Sequence, residues 1–192
     1  AHWATCTREK SEGESAIQLI DKGQACAENT CAQKVANGVL DMGTASSTNL
    51  SSVLAYSNAI DWPMLWTGRT EIFNYLFSPG SEKSYRGVLR SAYGVEMLSY
   101  YGDMRSIYMG LKYSDLDEIR TPDALKGAKI RISVSEMFQN FTQSLGMNPI
   151  PLAWVETLEG MKSGVVDAME TFPSAAAGYG MTAVSAQAVD IN

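Results

Sequence analysis

Residues 121–134 read Thr121-Pro122-Asp123-Ala124-Leu125-Lys126-Gly127-Ala128-Lys129-Ile130-Arg131-Ile132-Ser133-Val134. Thr121 offers a capping hydroxyl, Pro122 suits the first helical position and Asp123 puts an acid in the first turn. A short helix is therefore expected over Asp123 to Lys126, with Gly127 ending it. A strand follows, because Lys129, Arg131 and Ser133 alternate with Ile130, Ile132 and Val134. One face of that strand carries β-branched core residues and the other a guanidinium. Ser135 then caps a helix over Glu136 to Leu145, whose Met137, Phe138, Phe141 and Leu145 share one stripe before Gly146 stops it.

Working outward, Pro149 to Leu152 reads as an extended segment and Val155 to Ser163 as a helix with Leu158 and Met161 inward. Gly164 caps that helix, and Val165 to Met169 reads as a buried strand. The order βαβαβ predicts a parallel sheet with right-handed crossovers. Upstream, helices are expected over Ala27 to Ala36, Thr70 to Phe77 and Glu82 to Tyr93, and strands over Val39 to Thr44 and Val95 to Tyr100. Both halves thus read as α/β. The octamer Val35-Ala36-Asn37-Gly38-Val39-Leu40-Asp41-Met42 is echoed by Met161-Lys162-Ser163-Gly164-Val165-Val166-Asp167-Ala168. Each is a helix end, a glycine cap and an Asp-bearing segment, which fits two related lobes whose strand ends face a ligand crevice.

The 192 residues are 45% hydrophobic, 19% charged and 9% aromatic, a balance that argues against disorder and against a tiny disulfide-stapled scaffold. A formal net charge of −6 and a pI of 4.8 have the wrong sign for binding phosphate backbones, so no nucleic-acid partner is expected. The apolar runs are too short to cross a bilayer. The chain opens without an initiator Met or a signal-peptide core, so either a targeting segment has been removed or this is part of a longer product.

Few catalytic constellations survive inspection. His2 is the only histidine, which leaves a nucleophile triad resting on the start of the chain. There is no phosphate loop, and Gly178-Tyr179-Gly180 lacks the rest of a dinucleotide fingerprint. His2, Cys6, Cys26 and Cys31 match no standard zinc spacing, so no metal and no cofactor are expected, and cysteine spacing leaves open whether Cys26 and Cys31 are bridged. Trp62-Pro63-Met64-Leu65-Trp66 reads as core or as a pocket wall. Arg131 is the sharpest binding residue, since a planar guanidinium beside a crevice can hold a carboxylate through two parallel hydrogen bonds. The alternative is an α/β enzyme with Asp167 or Glu170 as general base in the same cleft.

These residues together resemble a known family, the periplasmic solute-binding proteins of tripartite ATP-independent periplasmic (TRAP) transporters, of DctP type. The resemblance runs from Gly23 to about Ala177. It rests on Gly23-Gln24, on Asn37-Gly38-Val39-Leu40-Asp41-Met42, on Trp62-Pro63-Met64-Leu65 and above all on Arg120 to Ile132. It continues through Leu145-Gly146-Met147-Asn148-Pro149-Ile150-Pro151 and Gly164 to Glu170. It implies a two-lobed Venus-flytrap fold of which this chain is a part, with a first lobe over 1–104 and a second over 105–192. It further implies a monomeric periplasmic receptor that passes a small organic acid to membrane subunits, with Arg131 on the ligand carboxylate and Arg105 as the second family arginine. Thr171, Glu170, Phe172, Trp3, Ser47 and Trp62 complete the expected ligand-binding set.

The chain departs from the family pattern at three places. Glu170-Thr171-Phe172-Pro173 stands where the family often has Glu-Asn-Pro, which points to an apolar ligand body against Phe172, while Arg105 argues for a second anionic group. Ala1 to Thr5 resembles the end of the family's first strand, yet only a short charged stretch separates it from Asp21-Lys22-Gly23-Gln24. The resemblance also implies a C-terminal return of the fold beyond Asn192. A fragment of a longer mature protein is expected.

Overall fold

A computed structural model describes residues 2–20, 23–27, 29–51, 53–116 and 119–191, apart from the side chains of His2 and Trp3. Asp21 and Lys22 of the stretch before Gly23 lie outside the described residues. The first half carries helices α1 (His2–Lys10), α2 (Cys31–Ala36), α3 (Ser47–Leu50), α4 (Arg69–Leu76), α5 (Pro79–Lys83) and α6 (Tyr85–Tyr93), with a 3-10 turn at Ala55–Asp61 between α3 and α4. The second half runs β1 (Ser106–Gly110), β2 (Lys129–Ile132), α7 (Glu136–Ser144), β3 (Asn148–Pro151), α8 (Trp154–Ser163), β4 (Ala168–Thr171), α9 (Pro173–Gly178) and β5 (Ser185–Asp190). The decisive stretch keeps the expected order, with corrections. The helix expected over Asp123 to Lys126 is a 3-10 turn at Pro122–Leu125 without a side-chain cap from Thr121, and β2 ends at Ile132, so that Val134 is exposed rather than core. α7 is capped by Ser135, whose side chain accepts from the Phe138 amide.

The strands form one five-stranded sheet in the order β3-β2-β4-β1-β5. β2 pairs in parallel with both β3 and β4, which is the predicted βαβαβ unit. β1 lies antiparallel between β4 and β5, with Ser106 opposite both Thr171 and Asp190. This mixed arrangement lies beyond the sequence reading. All five residues of β1 are buried, so the strand shows no alternation to read, and its partner β5 comes from the far end of the described chain.

The side-chain period of two sorts the sheet into two packed faces. Ile130, Ile132, Ala168, Ile107 and Met109 point toward α7 and enclose Met137 and Phe138. Tyr108 and Met169 point the other way and pack with Ala176 and Met181, against which Trp154, Leu158 and Met161 of α8 lie. A separate core in the first half joins Leu54, Ile60, Ile72, Leu76, Tyr85 and Leu89, with Trp66 and Tyr75 against it.

Several expectations upstream are corrected. Val39 to Thr44 and Val95 to Tyr100 belong to no ladder, and among the described residues the first half carries helices and turns without a strand. Their β-branched and aromatic content favours extension, but an extended segment becomes a strand only when a partner satisfies its backbone. Ala1 to Thr5, expected to end a strand, falls within α1 from His2 onward, Ala1 itself lying outside the described residues. The helix over Glu82 to Tyr93 is broken at Ser84, and Gly87 sits where an added Cβ would meet the Glu82 carbonyl oxygen at 2.0 Å. The octamer echo holds at its glycines, Gly38 and Gly164 both being left-handed after a helix, but only the second leads into a strand. Cys26 and Cys31 form a disulfide, with Cα atoms 5.2 Å apart, and Cys6 is free.

Candidate functional site

Parallel β2 and β4 run side by side, so their exits lie together, and antiparallel β1 brings its entry to the same edge. Arg131 near the end of β2, Glu170 and Thr171 at the end of β4, Phe172 just after it and Arg105 just before β1 therefore gather at one rim of the sheet. That rim is where open α/β sheets bind ligands.

Arg131 leaves the face opposite Ile130 and Ile132, as its place in the alternation requires, and is 3% exposed. Its Nε donates to the Leu152 carbonyl at 2.9 Å, and its guanidinium lies 5.3 Å from the centre of the Trp154 ring. Trp154, the first residue of α8, was absent from the sequence reading. The signal available for it is the parallel pairing of β2 with β3, which sets the β3–α8 junction beside the β2 exit.

Arg105 occupies a different setting on the α7 side of the sheet. Its Nη1 donates to Glu170 Oε1, and its Nη2 lies 3.5 Å from both Asp61 Oδ2 and Thr48 Oγ1. The Phe172 ring covers one side of the guanidinium at 4.1 Å, and the Phe138 ring lies 5.0 Å away. Burial alone would lower the Arg105 guanidinium, but the Glu170 and Asp61 carboxylates hold it above its ordinary value. Glu170 is 1% exposed, and its Oε2 is buried without a hydrogen-bond partner, as is Arg105 Nε. Burial first, and then the Asp61 carboxylate, push the nearby Tyr100 phenol up to about 12.

Ser47 donates its hydroxyl to Asp61, so it supports the charged cluster from the first half. Thr171 is buried at the β4 end, and Phe172 is partly buried against Arg105. Trp62 is 60% exposed and, with Pro63 and Asn58, faces Met137 and Phe141 of α7 across a groove of about 480 Å³. Trp66 and Tyr108, aromatic residues available to wall a cleft, are instead packed into cores, and the Trp66 indole N–H donates to the Ile60 carbonyl. The Trp3 side chain lies outside the described residues. Asp61 and Thr48 are the residues that sequence reasoning missed, since they reach Arg105 only through tertiary packing across 44 and 57 positions.

The two carboxylates weighed as general bases are both engaged. Asp167 lies at the opposite, entry end of β2 and β4, bonded to Lys112 Nζ at 2.7 Å and to the Lys129 amide at 2.9 Å. Burial acts to raise its carboxyl, but the Lys112 ammonium and the Lys129 amide outweigh it and hold the group below its ordinary value, where it is a weak base. Glu170 is paired with Arg105. Among the described residues no cluster of His, Cys, Asp and Glu suits a metal, and no helix is long and apolar enough to cross a membrane.

Comparison with known proteins bears on the fold and the family. A TRAP periplasmic solute-binding protein from Roseobacter denitrificans, solved with β-D-glucuronate, is 25% identical and superposes with a TM-score of 0.77 over 88% of this chain and 54% of that one. A second, from Chromohalobacter salexigens with D-glucuronate, is 20% identical and shares the fold at a TM-score of 0.85, over 95% of this chain and 59% of that one. The 2,3-diketo-L-gulonate-binding periplasmic protein of Escherichia coli is 24% identical over 164 residues, or 85% of this chain and 48% of that protein. The chain thus spans about half the length of the relatives it matches, and its α/β fold is part of their two-lobed one. These relatives are solute-binding receptors rather than enzymes. Residues 1–190 match bacterial extracellular solute-binding protein family 7, DctP, and the chain belongs to that family, the solute-binding proteins of TRAP transporters.

Proposed function

We propose that the protein is a periplasmic receptor that captures a small organic carboxylate at the exit rim of β2 and β4, closes on it and delivers it to the membrane subunits of a TRAP transporter. The observation that carries this reading is Arg131, a buried guanidinium near the end of β2 at the rim of the sheet, laid against Trp154. Its Nε is oriented by the Leu152 carbonyl, which fixes the plane of the fork that would meet the carboxylate. Relatives solved with glucuronate, galacturonate and L-gulonate support a carboxylate ligand. The first lobe over 1–104 and the second over 105–192 are proposed on the same reading, with Arg105 standing at the boundary and the receptor acting as a monomer.

A thermal-shift screen of sugar acids, dicarboxylates and aromatic or branched monocarboxylates tests the proposal. Stabilisation by at least one acid, lost in Arg131→Ala, is expected, because a ligand that binds only the native state raises the melting temperature by mass action. Stabilisation that survives Arg131→Ala refutes the role of Arg131, and indifference to every acid refutes the receptor reading.

A further inference from the structure

The groove between Trp62 and α7 lies apart from the carboxylate site. α7 packs on the face of the sheet that carries Ile130 and Ile132, whereas Arg131 leaves the opposite face. At about 480 Å³ the groove falls within the size range of small-molecule sites. Trp62 and Pro63 come from the first half of the chain and the other wall from α7, so neither half forms the groove alone.

Helical spacing divides the α7 wall into two stripes. Met137 and Phe141 stand four residues apart and offer apolar surface across from Trp62, whose indole is 60% exposed. Glu136, Asn140 and Ser144 repeat at the same interval beside them, over two turns or about 12 Å. This polar stripe is richer in acceptors than in donors. Glu136 is exposed, can only accept when ionised, and forms no ion pair among the described residues. The Ser144 hydroxyl already donates to the Phe141 carbonyl at 2.6 Å, which leaves only its lone pairs. Among the described residues no lysine or arginine lines the groove. An anion here would meet a carboxylate and no counter-charge. A cation would gain from Glu136 and from the π face of an exposed indole.

We propose that this groove is a second binding site, for an organic ammonium with an aromatic body. The ring lies between Trp62 and Phe141, and the ammonium sits at the Glu136 end of the polar stripe. The ligand is thus opposite in charge to the acid expected at Arg131, and the site does not depend on the receptor reading.

Fluorine NMR of the 192-residue chain labelled with 5-fluorotryptophan reads the groove directly, because the protein has four tryptophans and Trp62→Phe and Trp154→Phe assign the two resonances that matter. Three probes are titrated: tryptamine, indole-3-acetate, which carries the same ring with the opposite charge, and butylammonium, which keeps the charge and lacks the ring. Tryptamine is expected to shift the Trp62 resonance saturably, with a midpoint at least about tenfold below those of the other two. Glu136→Gln should raise that midpoint about three- to fivefold, the effect of one exposed charge. Asn140→Asp, which adds a carboxylate one turn further along the stripe, should lower it. A Trp62 resonance unmoved by millimolar tryptamine overturns the proposal, as does a shift of the Trp154 resonance alone, which would put the amine at the Arg131 rim. Indole-3-acetate or butylammonium binding as well as tryptamine overturns it too, and so does a midpoint unchanged in both variants.

Discussion

Arg131 and Asp167 show how one strand pair gives two charged residues different work. Arg131 sits at the exit of β2, where truncation should abolish ligand binding while the sheet persists, because only the face opposite Ile130 and Ile132 changes. A charge pair that loses one partner costs about 3–5 kcal/mol, so Arg131→Ala should weaken a carboxylate at least a hundredfold by calorimetry. Arg131→Lys should also bind more weakly, since an ammonium lacks the planar fork. Asp167 sits at the entry end and ties β2 to β4 through the Lys129 amide and to the Lys112 ammonium. Its carboxyl is lowered from the ordinary 3.8, so its contribution to stability is complete above that value and is lost as the pH falls through the lower folded one. Asp167→Asn should therefore be less stable than the parent at pH 7, by about 1–3 kcal/mol, and the gap should close as the pH falls through the lowered folded-state value. A gap that widens on acidification would mean that folding raises the Asp167 carboxyl instead of lowering it.

At the scale of elements, the junction of β1 with β4 tolerates no side chain at Gly110. Its amide donates to the Asp167 carbonyl at 2.8 Å, and an added Cβ would come within 2.8 Å of that same backbone oxygen. Because the neighbour is backbone and cannot swing aside, Gly110→Ala should part the end of the ladder and lower the melting temperature by several degrees, with about 1–3 kcal/mol lost. The helices are set by smaller terms. Ser135 caps α7 by accepting from the Phe138 amide, so Ser135→Ala should cost about 1 kcal/mol. Phe138 itself is wholly buried between the sheet and the Arg105 cluster, and this ties the angle of α7 to the site.

Across the whole molecule, Arg105 ties the two halves of the chain together, reaching Asp61 and Thr48 on one side and Glu170 on the other. Removing it leaves the Asp61 and Glu170 carboxylates without their shared counter-ion, so Arg105→Ala should destabilise the fold by about 3–5 kcal/mol in denaturant melts. Double substitution with Glu170→Gln should recover part of that loss, and additivity of the two would show that the pair does not interact. Ligand binding between lobes should reduce the radius of gyration of the receptor in small-angle scattering, and a radius unchanged at saturation would refute closure.

The run from Thr121 to Met169 determined the βαβαβ unit by itself, because each of its elements is written in local terms: a proline-led turn, a period of two, a serine cap, an apolar stripe and a left-handed glycine. Local spacing also placed Arg131 on the correct face of its strand, since alternation needs no knowledge of a partner. The antiparallel additions β1 and β5 were not legible, since pairing Ser106 with Asp190 is a contact across 84 positions between segments without a period of their own. The same limit explains Val39 to Thr44 and Val95 to Tyr100, which carry strand-forming residues but find no ladder to join. Arg105 could be singled out from sequence, but its two carboxylate partners and its aromatic cover could not. Charge compensation in a buried site depends on which side chains the fold brings within a few ångströms, and only the tertiary structure decides that.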